Sequence, residues 1–368
     1  MSDAKPPSYW DYLKLDGLLG LQGGLDNDED KITSDELHFI VVHQVYELWF
    51  KLVLRELRLG RDELGAPRVA EETIPNVVHH LRRVNEIFKL GADQFRVMET
   101  LTPQDFLDFR DKLAPASGFQ SFQMRELEIL LGLNEEQRVQ VPGMKPLNHI
   151  RKMAPGTPAG ELAYARVEAA SQETNLRSAL HDWLHRTPIQ GSVPKDAGDD
   201  ETVSQFLKEY LKAYKEGQEA QAARLVEVGV GSAEAIKARF SGSIDAAHEF
   251  LFANDIDEKE RLRMRRIRAG ILFVESYRDL PLLAWPRLLI DTVVEMEELL
   301  VLWRSRHARM VERTVVRRVG TGGSPGVDYL DRTAAYRIFT ELWTVRTLLL
   351  PRRALPALRS PEFYGFAS

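Results

Sequence analysis

Cysteine is absent from the 368 residues, which excludes disulfides, thiolate metal ligands and a cysteine nucleophile. The chain also has no run of eighteen apolar residues, so we expect no membrane span. Acidic residues outnumber basic ones by 55 to 49, and the net charge of −6 offers a nucleic-acid partner no global electrostatic support. Residues 1–8 are polar and lack the apolar core of a signal peptide. We therefore expect a cytoplasmic protein with neither a membrane nor a nucleic-acid partner.

A period-two pattern of useful length is also missing, whereas helical spacing of apolar residues recurs along the chain. Thr33 or Ser34 can cap a helix that runs to about Leu64, and Thr102 with Pro103 opens another. Further helices are predicted over residues 69–99, 119–131, 161–186, 203–228, 232–253, 258–277, 285–316 and 329–350.

These patterns predict an all-α fold of long packed helices. We expect these helices to form one domain over residues 1–368. Residues 1–32 form an N-terminal arm in this reading, and residues from about 133 to 256 form peripheral helices and loops.

The helix that begins near Ser34 carries a histidine on a mostly apolar stripe. Phe39, His43, Tyr46, Glu47 and Phe50 recur at steps of three and four and share one helical face. A ring that can hold or release a proton near neutral pH, walled by aromatics, suits a buried site. A core histidine bonded to a backbone group has the same pattern, so spacing alone leaves both interpretations open.

Two later segments offer further candidate residues. Phe106 and Arg110 lie one turn apart on the same helix face. Such a pair suits an aromatic amino acid, because the phenylalanine can pack on its ring and the guanidinium can bind its carboxylate. A surface arginine covering a phenylalanine is the alternative. His307 lies late in a helix, where most histidines are not ligands. The glycine-rich loop 320–326 lacks a phosphate-binding lysine and can also be a flexible connector.

A resemblance to a known family rests on four segments in the same order. They read DELHFIVVHQVYELWFK at 35–51, FRDKLAPASGFQS at 109–121, WRSRHARMV at 303–311 and GTGGSPG at 320–326. Together they resemble the signature segments of the tryptophan 2,3-dioxygenase family of haem enzymes. The resemblance is strong over residues 9–131 and about 257–350, and weak between them.

The resemblance implies an all-α fold with a haem pocket, and it implies site residues. His307 would be the proximal ligand of haem b iron, active as Fe(II), with Trp303, Ser117 and Gly118 beside the haem. His43 would be catalytic and bond the indole N–H. The substrate L-tryptophan would contact Phe39, Phe106, Arg110 and Thr321, and also Tyr9 and Tyr12 from a neighbouring subunit of a homotetramer.

The reaction implied is cleavage of the indole C2–C3 bond by O2 to N-formylkynurenine, the first step of tryptophan degradation by the kynurenine pathway. Ser34 and Pro325 depart from the family pattern, and Pro325 restricts the loop that closes over the substrate. Two alternatives therefore stay open. One is a haem monooxygenase that converts tryptophan or a β-substituted tryptophan to an oxindole-type product. The other is a catalytically inactive helical interaction protein.

Overall fold

The computed structural model of the chain describes residues 8–113, 121–138, 156–315 and 326–365. Apart from one isolated bridge between Ile189 and Ser192, regular structure in these ranges is helical, which confirms the predicted all-α class. The α-helices are α1 Tyr9–Leu13, α2 Leu15–Leu18, α3 Ser34–Gly65, α4 Ile74–Met98, α5 Pro103–Arg110, α6 Phe122–Leu131, α7 Pro158–Ser171, α8 Leu176–Arg186, α9 Asp199–Glu227, α10 Ala233–Leu251, α11 Glu258–Ser276, α12 Ala284–Val315, α13 Val327–Thr333 and α14 Thr340–Thr347.

Two helices begin where their capping residues predict. The Thr33 hydroxyl accepts a hydrogen bond from the Glu36 amide at 3.1 Å, and the Thr102 hydroxyl accepts one from the Asp105 amide at 3.2 Å. These amides have no partner within their own helix, so the caps satisfy them. Helix α4 begins at Ile74 rather than at Val69 as predicted, because its proline fits only in the first turn.

Helix α4 packs between α3 and α12, the two longest helices. Its predicted apolar face is buried, with Val77, Leu81 and Val84 fully enclosed. At Gly91 the packing is close, since an added Cβ there would lie 3.4 Å from both the Trp303 indole and the Tyr46 ring. The Tyr46 hydroxyl also donates to the Gly91 carbonyl at 2.7 Å. The three helices are therefore in direct contact at the level of Gly91.

Helix α3 is long and apolar enough to cross a membrane, judged by length and composition alone. In this fold it contacts α4, α6 and α8, and residues such as Val53, Leu54 and Leu57 lie in the common core. A core helix of a globular protein has the same composition, so the contacts of α3 favour a core helix over a membrane span.

The predicted single helix over 161–186 is wrong, because α7 and α8 are separate. The chain breaks between Ser171 and Leu176, where Asn175 caps α8 by accepting from the Ser178 amide at 2.8 Å. The Glu173 carboxylate in the break accepts from Arg58 of α3 at 2.8 Å. Ion pairing with a distant helix favours the break, and local periodicity does not report it.

The predicted helix over 329–350 is also wrong, because α13 and α14 are separated by residues 334–339. The carboxylate of Glu297, on α12, accepts hydrogen bonds from the Ile338 and Phe339 amides, the latter at 3.1 Å. The same carboxylate accepts from the Trp343 indole. Glu297 is almost fully buried and caps α14 from outside, which a continuous helix would prevent.

Helices α9 and α10 correspond to the helices predicted over residues 203–228 and 232–253 and pack against each other, but α9 is not wholly peripheral as predicted. Phe206, Leu207 and Tyr210 in its first half are completely buried in the common core. The Tyr210 hydroxyl donates to the Leu348 carbonyl at 3.2 Å. In the second half of α9 and along α10, most residues are exposed or half-buried.

Replacing Glu297 by alanine should lower the free energy of unfolding by about 2–5 kcal/mol, because two buried amides and an indole N–H lose their acceptor. Glu298→Ala, one position along the same helix and exposed, is the matched control and should change stability by less than about 0.5 kcal/mol. Urea denaturation of both variants measures the difference. Equal effects would show that Glu297 does not hold α14.

Candidate active site

One cavity of about 320 Å³ brings together residues from three distant parts of the sequence. Helix α3 contributes Phe39 and His43, α5 contributes Phe106 and Arg110, and α12 contributes Trp303 and His307. These six were all predicted site residues, and the fold places them around the same space. Helices α4, α6 and α13 complete the wall.

The His43 ring is held in one tautomer by its own helix. Its Nδ1 lies 2.8 Å from the Phe39 carbonyl oxygen, which can only accept, so Nδ1 carries the hydrogen and donates. Nε2 is then left as an acceptor in the neutral ring. Burial in the cavity wall lowers the His43 pKa, and the Phe39 bond and the Glu47 carboxylate oppose this only in part. His43 is therefore a neutral acceptor at neutral pH.

Aromatic rings form the wall beside His43. The Phe39 ring centroid lies 4.0 Å from that of His43 and 6.0 Å from that of Phe106. Phe109 supports both phenylalanines from behind, at 5.5 Å from Phe39 and 5.4 Å from Phe106. The part-buried Arg110 follows Phe106 by one turn and faces the same cavity. An apolar wall with a guanidinium at its edge fits a flat aromatic ligand that carries a carboxylate.

The His307 ring stacks on Phe95, with centroids 5.5 Å apart and planes inclined by 15°, and contacts Trp303 at 5.2 Å. Burial, and then the neighbouring His43 ring and the charges of Arg304 and Arg125, lower the His307 pKa to about 4. Its imidazole is therefore neutral at neutral pH, the form that binds a metal. No hydrogen bond to this ring occurs within the described part of the chain.

The surroundings of His307 restrict the kind of metal it could hold. Among the described residues, no three His, Asp or Glu side chains come together as a metal site. A single histidine ligand suits a metal that brings its other ligands with it, as haem iron does. Within the described ranges, the Trp303 indole N–H and the Arg125 Nε–H are buried donors without a hydrogen-bond partner. Donors of this kind fit an occupant with acceptor groups, and the residues present therefore fit haem.

Sequence reasoning missed a charged group on the cavity wall. Glu128 of α6 is buried and contacts Arg125 at 3.0 Å, Arg304 at 2.8 Å and also Arg138. The signal available was Arg125 and Glu128 three apart on a helix of mostly buried residues, where ionised side chains occur only with partners. Their partners come from elsewhere in the chain, so the sequence could not name them.

Glu47 is a second missed cavity residue, although the sequence placed it on the His43 stripe. Its carboxylate accepts hydrogen bonds from the Ser121 hydroxyl at 2.7 Å and from the Gln123 side-chain Nε2 at 2.8 Å. Both partners lie at the start of α6. Glu47 therefore ties α3 to α6 beside the cavity.

The remaining predicted residues do not line this cavity in the described ranges. Ser117, Gly118 and Thr321 lie outside the described residues, as does Pro325. Tyr9 and Tyr12 lie on α1 and are 69% and 78% exposed. Their own chain leaves both rings uncovered, so the prediction that they enter a neighbouring subunit stays a prediction.

The chain matches the family model described as tryptophan 2,3-dioxygenase over residues 2–349. It belongs to the tryptophan 2,3-dioxygenase family. A tryptophan 2,3-dioxygenase of Sorangium cellulosum is 46% identical over 98% of this chain and 88% of its own length. Tryptophan 2,3-dioxygenase 2 of Ralstonia nicotianae is also 46% identical, over 99% and 98%. The tryptophan 2,3-dioxygenase of Anopheles gambiae is 34% identical over 95% and 87%.

Family membership confirms the resemblance that the sequence motifs indicated. In the cavity wall, three arginines pair with the single carboxylate of Glu128. Burial would raise the pKa of Glu128, but three guanidinium groups outweigh it and hold the pKa at about 2. A carboxyl whose pKa falls on folding stabilises the fold above its unfolded pKa, near 4.5. That stability is lost progressively as the pH falls from about 4.5 toward 2.

Glu128→Gln should lower the free energy of unfolding at pH 7 by about 3 kcal/mol or more, since it leaves buried guanidinium groups uncompensated. The difference in the free energy of unfolding between the variant and wild type should become smaller as the pH falls below about 4.5. Urea midpoints at pH 7, 5, 4 and 3 measure it. Glu136→Gln, at an exposed position, should follow wild type at every pH. A difference in the free energy of unfolding that stays constant down to pH 3 would contradict the lowered pKa of Glu128.

Proposed function

We propose that this chain is an oxygen-incorporating haem enzyme that cleaves the indole C2–C3 bond of L-tryptophan to give N-formylkynurenine, the opening step of tryptophan catabolism by the kynurenine pathway. One observation carries the proposal. His43, Arg110 and His307 come from three separate helices and line the same aromatic-walled cavity. Relatives named tryptophan 2,3-dioxygenase along nearly the whole chain support the same reaction.

Haem b would be held through His307, whose neutral imidazole lacks any other hydrogen-bond partner in the described chain. Trp303 and Arg125 offer unused donors on the same cavity wall, and Ser117 and Gly118 are assigned to the haem by family resemblance. When bound, haem supplies an iron(II) centre for dioxygen, the oxidant of the reaction.

L-tryptophan would be oriented by the other side of the cavity. The indole packs against Phe39 and Phe106, and the carboxylate pairs with the Arg110 guanidinium. The His43 Nε2, unprotonated because Nδ1 donates to Phe39, accepts the indole N–H. Thr321 would bond the ammonium and carboxylate groups. Holding the ring in one pose and excluding water are this chain's contributions to the rate.

Both oxygen atoms enter the product, since one ends on each of the two carbons of the broken bond. The companion hypothesis of a monooxygenase would leave one oxygen atom in an oxindole, and the named relatives do not favour it. The hypothesis of a catalytically inactive interaction protein does not account for the cavity or the neutral His307.

Assembly is a further part of the proposal. We infer a homotetramer, in which the arm of residues 1–32 reaches a neighbouring subunit and brings Tyr9 and Tyr12 to its cavity. Both rings are exposed on their own chain, and large exposed aromatics are typical of contact surfaces. Each subunit is a single domain over residues 1–368. The protein would work in the cytoplasm, which the absence of cysteine permits.

The first test is the reaction itself. The holoprotein, reduced and given L-tryptophan in air, should form a product containing two added oxygen atoms with the absorbance of N-formylkynurenine. Labelled O2 should place both label atoms in the product. The His307→Ala variant should lack the haem absorbance band and the activity, whereas His248→Ala, at an exposed position, should retain both. A product with one added oxygen would overturn the dioxygenase assignment.

Arg110→Ala should raise the KM for L-tryptophan, because losing a buried charge-assisted pair costs about 2–5 kcal/mol, or roughly 30-fold or more. Tryptamine, which lacks the carboxylate, should bind wild type and variant about equally. Arg96→Ala changes a well-exposed arginine on α4 and should leave the KM unaltered. Substrate titrations of initial rate separate these cases. An unchanged KM in Arg110→Ala would remove it from the carboxylate role.

A further inference from the structure

A second cavity lies away from the candidate active site and shares no lining residue with it. Its volume is about 560 Å³, within the range of cavities that bind small molecules. Helices α9 and α10 form its two long walls, and α14 with the following residue, Leu348, forms a third. The proposed reaction does not use this space.

The two long walls present side chains at steps of three and four. Helix α9 contributes Tyr214, Gln218, Gln221 and Leu225, and α10 contributes Arg239, Ser243, Ala246 and Phe250. The two helices pack against each other and are joined by residues 228–232. They therefore run antiparallel, and positions equally distant from the connection face each other. Gln221 faces Arg239 on this basis, and Tyr214 faces Ala246.

Tyr214 lies at the end of the cavity farther from the connection and has an unused hydroxyl. The residue is only 6% exposed, yet its hydroxyl makes no hydrogen bond within the described part of the chain. The Tyr210 hydroxyl, one turn earlier, donates to the Leu348 carbonyl at 3.2 Å and accepts from the Leu350 amide at 3.1 Å. Buried tyrosine hydroxyls usually have such partners. Burial also raises the pKa of Tyr214, so its hydroxyl keeps the proton and can donate a hydrogen bond to an occupant of the cavity.

Arg239 supplies a positive charge nearer the connection. Among the described residues, its guanidinium has no ion pair and no hydrogen-bond partner, and no Asp or Glu lines this cavity. The hydroxyls of Ser243, Thr344 and Thr347 already donate to backbone carbonyls. Arg239 is exposed, so an anion can reach it from solvent. A free guanidinium at the edge of a cavity without acids favours a ligand with an acidic group.

The separation of these two groups sets the length of the ligand. Gln221, which faces Arg239, is seven positions from Tyr214 along α9 (221 − 214). At a helical rise of about 1.5 Å per residue the span is roughly 10 Å. Ala246 and Ala247 have small side chains that leave room between the helices, and Phe240 and Phe250 add aromatic surface. A flat apolar body of two fused rings fits such a space.

We propose that the cavity between α9, α10 and α14 binds an organic anion with a flat apolar body, an acidic group at Arg239 and a hydrogen-bond acceptor at Tyr214. Gln218 and Gln221 lie along the same wall and can bond further polar atoms of the ligand. This site is separate from the reaction proposed above and requires neither haem nor L-tryptophan.

The test is binding of 6-hydroxy-2-naphthoate to the purified full-length protein, measured by isothermal titration calorimetry. This probe carries a carboxylate and a hydroxyl at opposite ends of two fused rings. Arg239→Ala should weaken its binding roughly 3- to 5-fold, the upper range for an exposed ion pair. Tyr214→Phe should weaken it roughly 2- to 10-fold, the range for one neutral hydrogen bond. Both substitutions remove groups without a partner in the described chain, so both variants should fold.

Two compounds related to the probe identify the contacts. 2-Naphthol lacks the carboxylate and should bind wild type and Arg239→Ala equally. 2-Naphthoate lacks the hydroxyl and should bind wild type and Tyr214→Phe equally. Arg224→Ala removes the same charge from an exposed position of α9 outside the cavity, so it should bind the probe as wild type does. Ala246→Trp fills the space between the helices and should abolish binding.

Two results would overturn the proposal. One is the absence of 6-hydroxy-2-naphthoate binding at millimolar concentration. The other is binding that Arg239→Ala, Tyr214→Phe and Ala246→Trp all leave unchanged, which would place the probe only in the active-site cavity. Ser243→Phe fills the same space from one turn earlier on α10 and serves if Ala246→Trp does not fold. Neither result bears on the proposed reaction.

Discussion

Helix α4 lies between α3 and α12, and at Gly91 its backbone is approached by Tyr46 from one side and Trp303 from the other. A Cβ at this position would already touch both rings at 3.4 Å, so there is little room for a larger side chain between the outer helices. That contact sets the relation between His43 on α3 and His307 on α12, and therefore the space into which both rings face. The cavity is consequently a product of helix packing rather than of a loop.

Burial of charge is the second constraint on this site. A low-polarity cavity keeps both histidines neutral, because burial lowers the pKa of His43 and lowers that of His307 to about 4. The same burial imposes a desolvation cost on Glu128 and its arginines. Close ion pairing between them offsets that cost. A neutral His43 ring that can accept a hydrogen bond, a neutral His307 ring that can bind a metal and buried guanidinium groups thus coexist in one cavity.

Local signals predicted much of the helical layout. Thr33 and Thr102 predict the starts of α3 and α5, because their hydroxyls accept hydrogen bonds from backbone amides that a helix leaves unpaired. Wrong predictions came where a distant residue decides the local conformation. Arg58 binds Glu173 in the break between α7 and α8, and Glu297 caps α14 from another helix. Neither partner can be recognised from the periodicity of the segment it interrupts.

The sequence by itself determined the all-α class, the apolar stripes and, through its motifs, the residue types that belong to a family site. Only the tertiary structure decided that Phe39, Arg110 and His307 share one cavity, and that Nδ1 of His43 is the protonated nitrogen. It alone also revealed that Arg125, Arg138 and Arg304 converge on Glu128. The reason is physical: helix formation and capping depend on neighbours within a few residues. Pairing of buried charges depends on which helices meet, and that is settled by the packing of the whole chain.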